Sequence, residues 1–435
     1  MEKVVTGIKN WFSKVSKNEY VRVFSIVFVL GFIFFGFKAL GNGFTMGFNG
    51  DYTLQTLAFY SDGYNKIWNF LRTGEFPMFD YSNFLGMNYF GTASFYYLTS
   101  PFYYLLLLCP KEYIFQGVYF LLLIKYAFGG LFFYILLKKF FNFKDQTCLI
   151  GAIIYAFSGW NLYYLWFHFA DAMAVFPLFI MGLEYCLQKK KGWLITVSLF
   201  TVALCNYFFF VTFAIFGVFY FIFRWIKIYG LTKRNGYKFT ERWYVAIKGA
   251  SYYIVGGLLA GFVLIPNLIV VQQSGRVDEG LMETFLAFFK NSELVDGVTI
   301  LSGMKPLKEI FSKENLEGLF KFMFVWEDRG TNGMIIKGQQ TMLYIVSNFL
   351  FMNTNCWDTT VFNNSGLDNN LGGLFITTPL ILLFVPAFIN TLKSKKPFDI
   401  FTVIFCMIIP FIPFTFYLLH GFTYEYGRWQ ICLMQ

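Results

Sequence analysis

Residues 93–109, ASFYYLTSPFYYLLLLC, and the run behind them, 113–137, YIFQGVYFLLLIKYAFGGLFFYILL, decide between two topologies. About 20 predominantly apolar residues carry a helix across a ~30 Å hydrocarbon core. The second run meets that length, whereas the first is shorter and interrupted by Pro101. Lys138 and Lys139 close the second run. If 93–109 also crossed, these lysines and every later basic cluster would lie outside, against the rule that Lys and Arg collect in cytoplasmic connections. The reading is that 113–137 spans the membrane and that 93–110 is an interfacial helix on the outer leaflet, as an aromatic-rich amphipathic segment can be.

The same rule orders the rest of the chain. Its 435 residues are 57% hydrophobic, 23% aromatic and only 14% charged, with a mean hydropathy of +0.53. A soluble domain carries about 25% charged residues. A soluble enzyme, a disulfide scaffold and a disordered chain are thereby excluded, and an all-α polytopic membrane protein is expected. The net charge of +10 raises the question of nucleic acid, but most of the Lys and Arg fall in short segments between apolar runs, at 1–22, 138–144, 189–191, 224–248 and 393–396. Segments 42–94 and 273–370 are instead richer in acids than in bases. The charge therefore reads as topology, with basic segments cytoplasmic and the two acidic loops outside.

Nine spans follow, at about 23–41, 113–137, 147–166, 170–187, 193–206, 208–224, 247–271, 372–391 and 399–418. Residues 193–224 are too few for two full spans, yet Lys189–Lys191 and Arg224 both call for the cytoplasm. A hairpin of short helices turning near Asn206, with local thinning of the bilayer, satisfies both. The domain reading is a cytoplasmic amphipathic start at 1–22, a transmembrane module at 23–271 containing an outer loop at 42–112, a second outer loop at 272–371, and a further transmembrane hairpin at 372–435. The first span is an uncleaved anchor, since it is too long for a signal peptide and lacks a small-residue cleavage site. The terminal RWQICLMQ reads as the approach to another span, so a longer protein is expected. The seven Cys form no CxxC and read as buried thiols, without a disulfide framework or zinc site. The sequon at Asn363 reads as chance.

Ionisable groups in or beside spans are functional candidates because burying them is costly. Asp51, in Gly50-Asp51-Tyr52-Thr53-Leu54-Gln55, follows the first span on the outer side, with Asp62, Glu75 and Asp80 in the same loop. His168 and Asp171 fall in the outer turn between two spans, on one face if that turn is helical. Lys125 lies mid-span, where it needs a partner or a polar cavity. Arg428 and Trp429 follow the last span on the same outer side. Each also has a plainer reading: Asp51 as a turn residue, Glu75 and Asp80 as loop solvation or capping, His168 as an interfacial hydrogen-bonding group, Lys125 as paired to a carbonyl, Arg428 as a lipid anchor. No Walker loop or dinucleotide fingerprint occurs. An enzyme with its carboxylates outside then needs a substrate already activated in the outer leaflet, and a lipid-linked phosphosugar meets that need.

Several stretches together resemble the bacterial YfhO-like membrane proteins and, more broadly, the GT-C superfamily of membrane glycosyltransferases. They are Gly50-Asp51-Tyr52-Thr53-Leu54-Gln55, Phe76-Pro77-Met78-Phe79-Asp80, Ser100-Pro101-Phe102-Tyr103-Tyr104, Gly151-Ala152-Ile153-Ile154-Tyr155-Ala156-Phe157-Ser158-Gly159-Trp160, Phe176-Pro177-Leu178, Asn206-Tyr207, and Gly421-Phe422-Thr423-Tyr424 with Arg428-Trp429. The chain departs from the family pattern at Phe79, where Trp is usual, and at Gly427. The resemblance implies a GT-C-like bundle with outer-surface interfacial helices. It also implies transfer of a sugar from an undecaprenyl-phosphate carrier to a cell-envelope acceptor such as a teichoic acid. Asp51 matches the loop-one aspartate treated as catalytic in that family. Arg428 is the candidate for the donor phosphate; His168, Asp171, Asp80 and Glu75 are candidates for orienting the acceptor or acting behind Asp51. A divalent cation (Mg or Mn) on Asp51, His168 and Asp171 is the alternative to a metal-free site. The rival classes are a transporter of lipid-linked saccharides and a non-catalytic assembly factor.

Overall fold

Asn18 opens the first helix by accepting a hydrogen bond from the Tyr20 amide, and the apolar run behind it continues unbroken as α1 (Glu19–Leu40). The structure, a computed structural model, describes residues 18–46, 52–82, 86–163, 167–230, 236–273, 279–295, 298–326, 329–331, 334–336, 378–393, 396–422 and 431–432. It is mostly helical and divides into two units, one of 1–157, 165–210 and 217–270, the other of 158–164, 211–216 and 271–435.

In the first unit a π-helical turn (Tyr52–Leu57) leads into α2 (Ala58–Thr73). The buried residues of α2, Tyr60, Gly63, Tyr64 and Ile67, recur at helical spacing and define one inward face. Gly74 ends the helix in the left-handed region at φ 76°, where a side chain would be strained. A two-residue ladder, β1 (Phe79–Asp80) with β2 (Met87–Asn88), precedes α3 (Tyr89–Tyr96), whose first turn is capped by Asn88. A 3₁₀ turn (Tyr103–Leu108) then leads to the long α4 (Ile114–Phe140). Next come α5 (Asp145–Ala156), α6 (Gly159–Tyr163), α7 (Phe167–Lys189), α8 (Trp193–Cys205), α9 (Tyr207–Tyr229) and α10 (Phe239–Gln273). The short α6 belongs to the second unit. Helix α4 is the hub of the first unit, packed against α1, α5 and α7.

Among the described residues, five helices are long and apolar enough to cross a membrane: Glu19–Phe37, Lys111–Phe140, His168–Lys189, Tyr207–Tyr229 and Phe239–Val271. A sixth is added if Pro397–Phe411 and Pro413–Leu419, bent by 88°, count as one span. Of the other expected spans, that at 147–166 is shorter here, and that at 193–206 is the short helix expected. The stretch expected at 147–166 ends as a helix at Ala156, because Phe157 leaves helical geometry. Helix α8 has 13 residues, about 20 Å at 1.5 Å per residue, less than a hydrocarbon core. The chain does break at Asn206, which is extended (φ −164°, ψ 113°) and caps α9 by accepting from the Phe208 and Phe209 amides.

Segment 93–110 does not span, but neither is it one interfacial helix. It is two short helical pieces on either side of Ser100 and Pro101, and Tyr96, Tyr97, Ser100 and Tyr103 are buried in protein rather than laid on a surface. Proline cannot continue the helix, and the freed polar backbone is tolerated because protein encloses it.

The second unit departs from an all-α reading. Between α11 (Glu279–Ala287) and α13 (Lys313–Phe324) lie the hairpin β3 (Lys290–Val295)–β4 (Val298–Met304) and the short α12 (Leu307–Ile310), and β5 (Arg329–Thr331) pairs with β6 (Met334–Ile336). The helices α14 (Thr378–Lys393), α15 (Pro397–Ile408) and α16 (Pro413–Leu419) follow. Trp326, Phe416, Tyr417, Leu419 and Phe422 make the core of this unit. The Trp326 indole N–H donates to the Phe411 carbonyl at 3.0 Å.

Candidate functional site

Lys125 stands about 16 Å along α4 from its first residue, inside apolar sequence, where an ammonium needs an anion. The structure supplies Asp171: Lys125 Nζ lies 2.5 Å from Asp171 Oδ1, and both side chains are fully buried. The second carboxylate oxygen accepts the hydroxyl of Ser100. The Tyr60 ring lies 5.8 Å from the Lys125 ammonium, on the side given by α2. A cation, a carboxylate and a hydroxyl from three separate elements thus close on one another.

This centre anchors the irregular segment 95–103. The Tyr60 hydroxyl donates to the Tyr96 carbonyl at 3.3 Å, and the Tyr103 hydroxyl to the Tyr60 carbonyl at 2.7 Å. Thr99 donates to the Leu204 carbonyl at 2.7 Å and Asn206 to the Phe95 carbonyl at 3.3 Å, tying the segment to the end of α8. The His168 ring is buried among Phe95, Tyr96 and Phe169, with centroids 4.9, 5.2 and 4.4 Å away. The Tyr96 hydroxyl donates to Gln55 Oε1 at 2.8 Å, in the π-helical turn that begins at Tyr52.

His168 and Asp171 were expected in an outer turn. They instead belong to the first turns of α7, which starts at Phe167, and both are buried. Both side chains meet segment 95–100, as one helical face requires. Lys125, expected to need a partner, is paired with one of the other candidates.

Asp80 goes to a different place. It is the buried residue of β1, where its carboxylate and that of Asp62 take the Lys66 ammonium between them. Asp80 also accepts from the Ser82 amide at 2.9 Å and hydroxyl at 2.6 Å, so it staples the loop. Burial draws the Lys66 ammonium down, but its bonds to Asp62 and Asp80 outweigh this and hold its pKa above the ordinary lysine value. Lys66 lies 5.3 Å from the Tyr89 ring centroid, and the Tyr89 and Tyr97 hydroxyls are 3.1 Å apart. Burial pushes Tyr89 up to about 12, and Tyr97 and Tyr103 further in the same direction. Glu75 is exposed in the turn after α2 and forms no ion pair among the described residues. Asp51 and Arg428 lie outside the described residues.

Asp171, one of the residues expected for a divalent metal, is poorly placed to ligate one. Both Asp171 oxygens are engaged, one by an ammonium that would repel a second cation. Among the described residues no three His, Cys, Asp or Glu groups converge on a point.

One polar centre escaped the sequence reading. Glu184, fully buried in α7, accepts from Arg224 Nε at 2.5 Å, Arg224 Nη2 at 2.9 Å, the Tyr220 hydroxyl at 2.7 Å and Gln188 at 2.5 Å. Its signal was a second carboxylate, beside Asp171, inside the apolar run 170–187. Arg224 had the appearance of one more loop cation.

A helical membrane protein with ionisable groups paired inside its bundle is the class that fold and site define. The chain belongs to the family of the bacterial membrane protein YfhO, whose family model matches residues 23–300. No curated protein and no solved structure gave a match.

Proposed function

We propose that the protein is a membrane glycosyltransferase of GT-C type that moves a sugar from a polyprenyl phosphate, such as undecaprenyl phosphate, to an extracytoplasmic cell-envelope acceptor, with a teichoic acid as the acceptor class. The nine-span topology with a cytoplasmic N-terminus, the outer loops at 42–112 and 272–371, and a terminal hairpin at 372–435 belong to the same proposal. The supporting observation is the chain of contacts from the turn directly after Asp51, through Gln55, Tyr96 and His168, to the segment pinned by Ser100, Asp171 and Lys125. It ties the turn that follows Asp51 in sequence to a buried, hydrogen-bonded layer within a family of membrane proteins.

In this reading an acceptor hydroxyl oxygen attacks the anomeric carbon as the bond to the lipid phosphate breaks. Asp51 takes the hydroxyl proton, and polyprenyl phosphate leaves with the bonding pair. A carboxylate is a weak base for an alcohol, so proton transfer is concerted with attack at about 2.6–3.2 Å. Arg428 suits the departing phosphate because a guanidinium matches its oxygens bidentately, and a preorganised cation there stabilises the developing charge. One displacement inverts the anomeric centre. His168 and Asp171 position the segment that faces the substrate.

The buried Lys125–Asp171 pair also favours a second reading. Membrane carriers place ionisable groups at depth beside broken helices, and here the pair meets the interrupted segment 95–103. One experiment separates the two. In proteoliposomes supplied with a polyprenyl-phosphate sugar, Asp51→Asn should abolish release of polyprenyl phosphate while insertion is unchanged. Retained release defeats the assignment, and movement of intact donor between leaflets without release points to the carrier.

A further inference from the structure

One face of α2 is buried, and another carries polar residues. Leu57, Ser61 and Asn65 recur at four-residue spacing, which puts them on one side of the helix. With Thr53, Asp62 and Phe115 of α4 they line an open pocket of about 510 Å³. All six residues belong to the first unit. The volume falls in the range of small-molecule sites, about 300–1,000 Å³.

The lining itself narrows the ligand. Thr53 and Ser61 bring hydroxyls, Asn65 an amide, and Asp62 a carboxylate that can only accept. The Asp62 side chain is 38% exposed and is held by Lys66, whose ammonium is shared with the buried Asp80. Asp80 thus fixes the pocket's carboxylate at one remove. Phe115 is 42% exposed and gives the pocket an aromatic wall. Among the described residues the lining includes no Lys, Arg or His, so it offers a phosphate no charge-assisted bond. A wholly apolar ligand would cover the carboxylate and the amide without bonding them. A sugar ring meets both demands. Its hydroxyls donate to the carboxylate and the amide oxygen, and its weakly positive C–H groups suit the negative face of an aromatic ring.

We propose that this pocket binds a neutral sugar ring, with Asp62 and Asn65 taking its hydroxyls and Phe115 its C–H face. Thr53 follows Asp51 by two residues in the sequence. In the glycosyltransferase reading, on which this one step rests, the bound ring is therefore the acceptor's, because the donor brings a phosphate that the lining does not serve. The binding of a neutral ring does not depend on that reading.

The full chain in lipid nanodiscs, free of sugar-headed detergent, is examined by saturation-transfer NMR. The probes are the methyl glycosides of glucose, galactose and N-acetylglucosamine, with ribitol and glycerol 3-phosphate for comparison. At least one glycoside should bind, about tenfold more tightly than ribitol or glycerol 3-phosphate. Asn65→Leu and Phe115→Ala should each weaken it about tenfold. Both positions are exposed, so both variants should keep the parent's thermal unfolding. Asp62→Asn, which leaves Lys66 to Asp80, should weaken it similarly. No binding of any glycoside, binding unchanged in Asn65→Leu and Phe115→Ala, or a preference for ribitol or glycerol 3-phosphate overturns the proposal. Asp51→Asn should keep the bound glycoside. Release of polyprenyl phosphate that survives Asp51→Asn defeats the glycosyltransferase reading and leaves the pocket standing. Release lost in Asp51→Asn, with glycoside binding indifferent to Asn65→Leu and Phe115→Ala, defeats the pocket alone.

Discussion

Replacing Lys125 with methionine tests whether the ion pair in the bundle holds segment 95–103 in place. Methionine fills most of the lysine volume, so little cavity forms, but Asp171 loses the cation 2.5 Å away. Its other oxygen still accepts from Ser100. A carboxylate left in a site with no solvent exposure is costly, and breaking a buried pair from one side costs about 3–5 kcal/mol. That corresponds to roughly a 150- to 5,000-fold shift in the unfolding equilibrium. Asp171→Leu alone should cost a similar amount, because it strands the ammonium and the Ser100 hydroxyl. The double substitution removes both charges, and buried pairs replaced by apolar residues are often near neutral. A double-substitution cycle should therefore return a coupling of about 3 kcal/mol or more. Reversible unfolding in mixed detergent micelles supplies the four stabilities, and limited proteolysis at 97–103 reports the loosened segment. Single substitutions within about 1 kcal/mol of the parent, or an additive double, would refute the reasoning.

Other consequences concern the tyrosine layer around segment 89–103. A Cβ on Gly63 would come within 2.3 Å of the Tyr97 ring. Gly63→Ala should therefore lose about 1–3 kcal/mol to overpacking, offset by up to about 1 kcal/mol of helix propensity. Pairing it with Tyr97→Leu should remove the clash, as thermal unfolding of both variants will show. The buried tyrosines also set an alkaline limit. With Tyr89 raised to about 12, the folded protein keeps it protonated while an unfolded chain ionises near its ordinary value of 10. Stability is complete below pH 10 and falls as pH climbs toward 12, by up to about 1.4 kcal/mol per pH unit for each such tyrosine. Lys66 acts in the same direction: its pKa is raised above 10.5, so its bridge to Asp62 and Asp80 is intact below that pH and lost as pH rises through the raised value. Ultraviolet difference titration should show exposed tyrosines such as Tyr81 and Tyr113 ionising reversibly first, and the share of phenolate that is lost in Tyr89→Phe appearing only together with loss of fold. Early, reversible ionisation of Tyr89 would contradict its burial.

What the sequence determined by itself was everything that depends on runs and counts. Apolar stretches long enough for a bilayer, Lys and Arg gathered between them, and Pro101 within 93–109 identified a helical membrane protein and denied that segment a span. The break at Asn206 was legible because two basic clusters had to share one side, and a lone Lys in an apolar run announced that it needed a partner. Helix length was less legible. Whether 147–166 continues past Ala156 turns on how Phe157 packs, which hydropathy does not register. Only the tertiary structure paired Lys125 with Asp171, gave Asp80 to Lys66 rather than to a shared site, and joined Glu184 to Arg224 across 40 positions of sequence. The physical reason is the same in each case. Hydrophobicity acts along the chain and can be counted residue by residue, whereas a buried charge is satisfied by whichever opposite charge the packing of distant helices brings within a few ångströms.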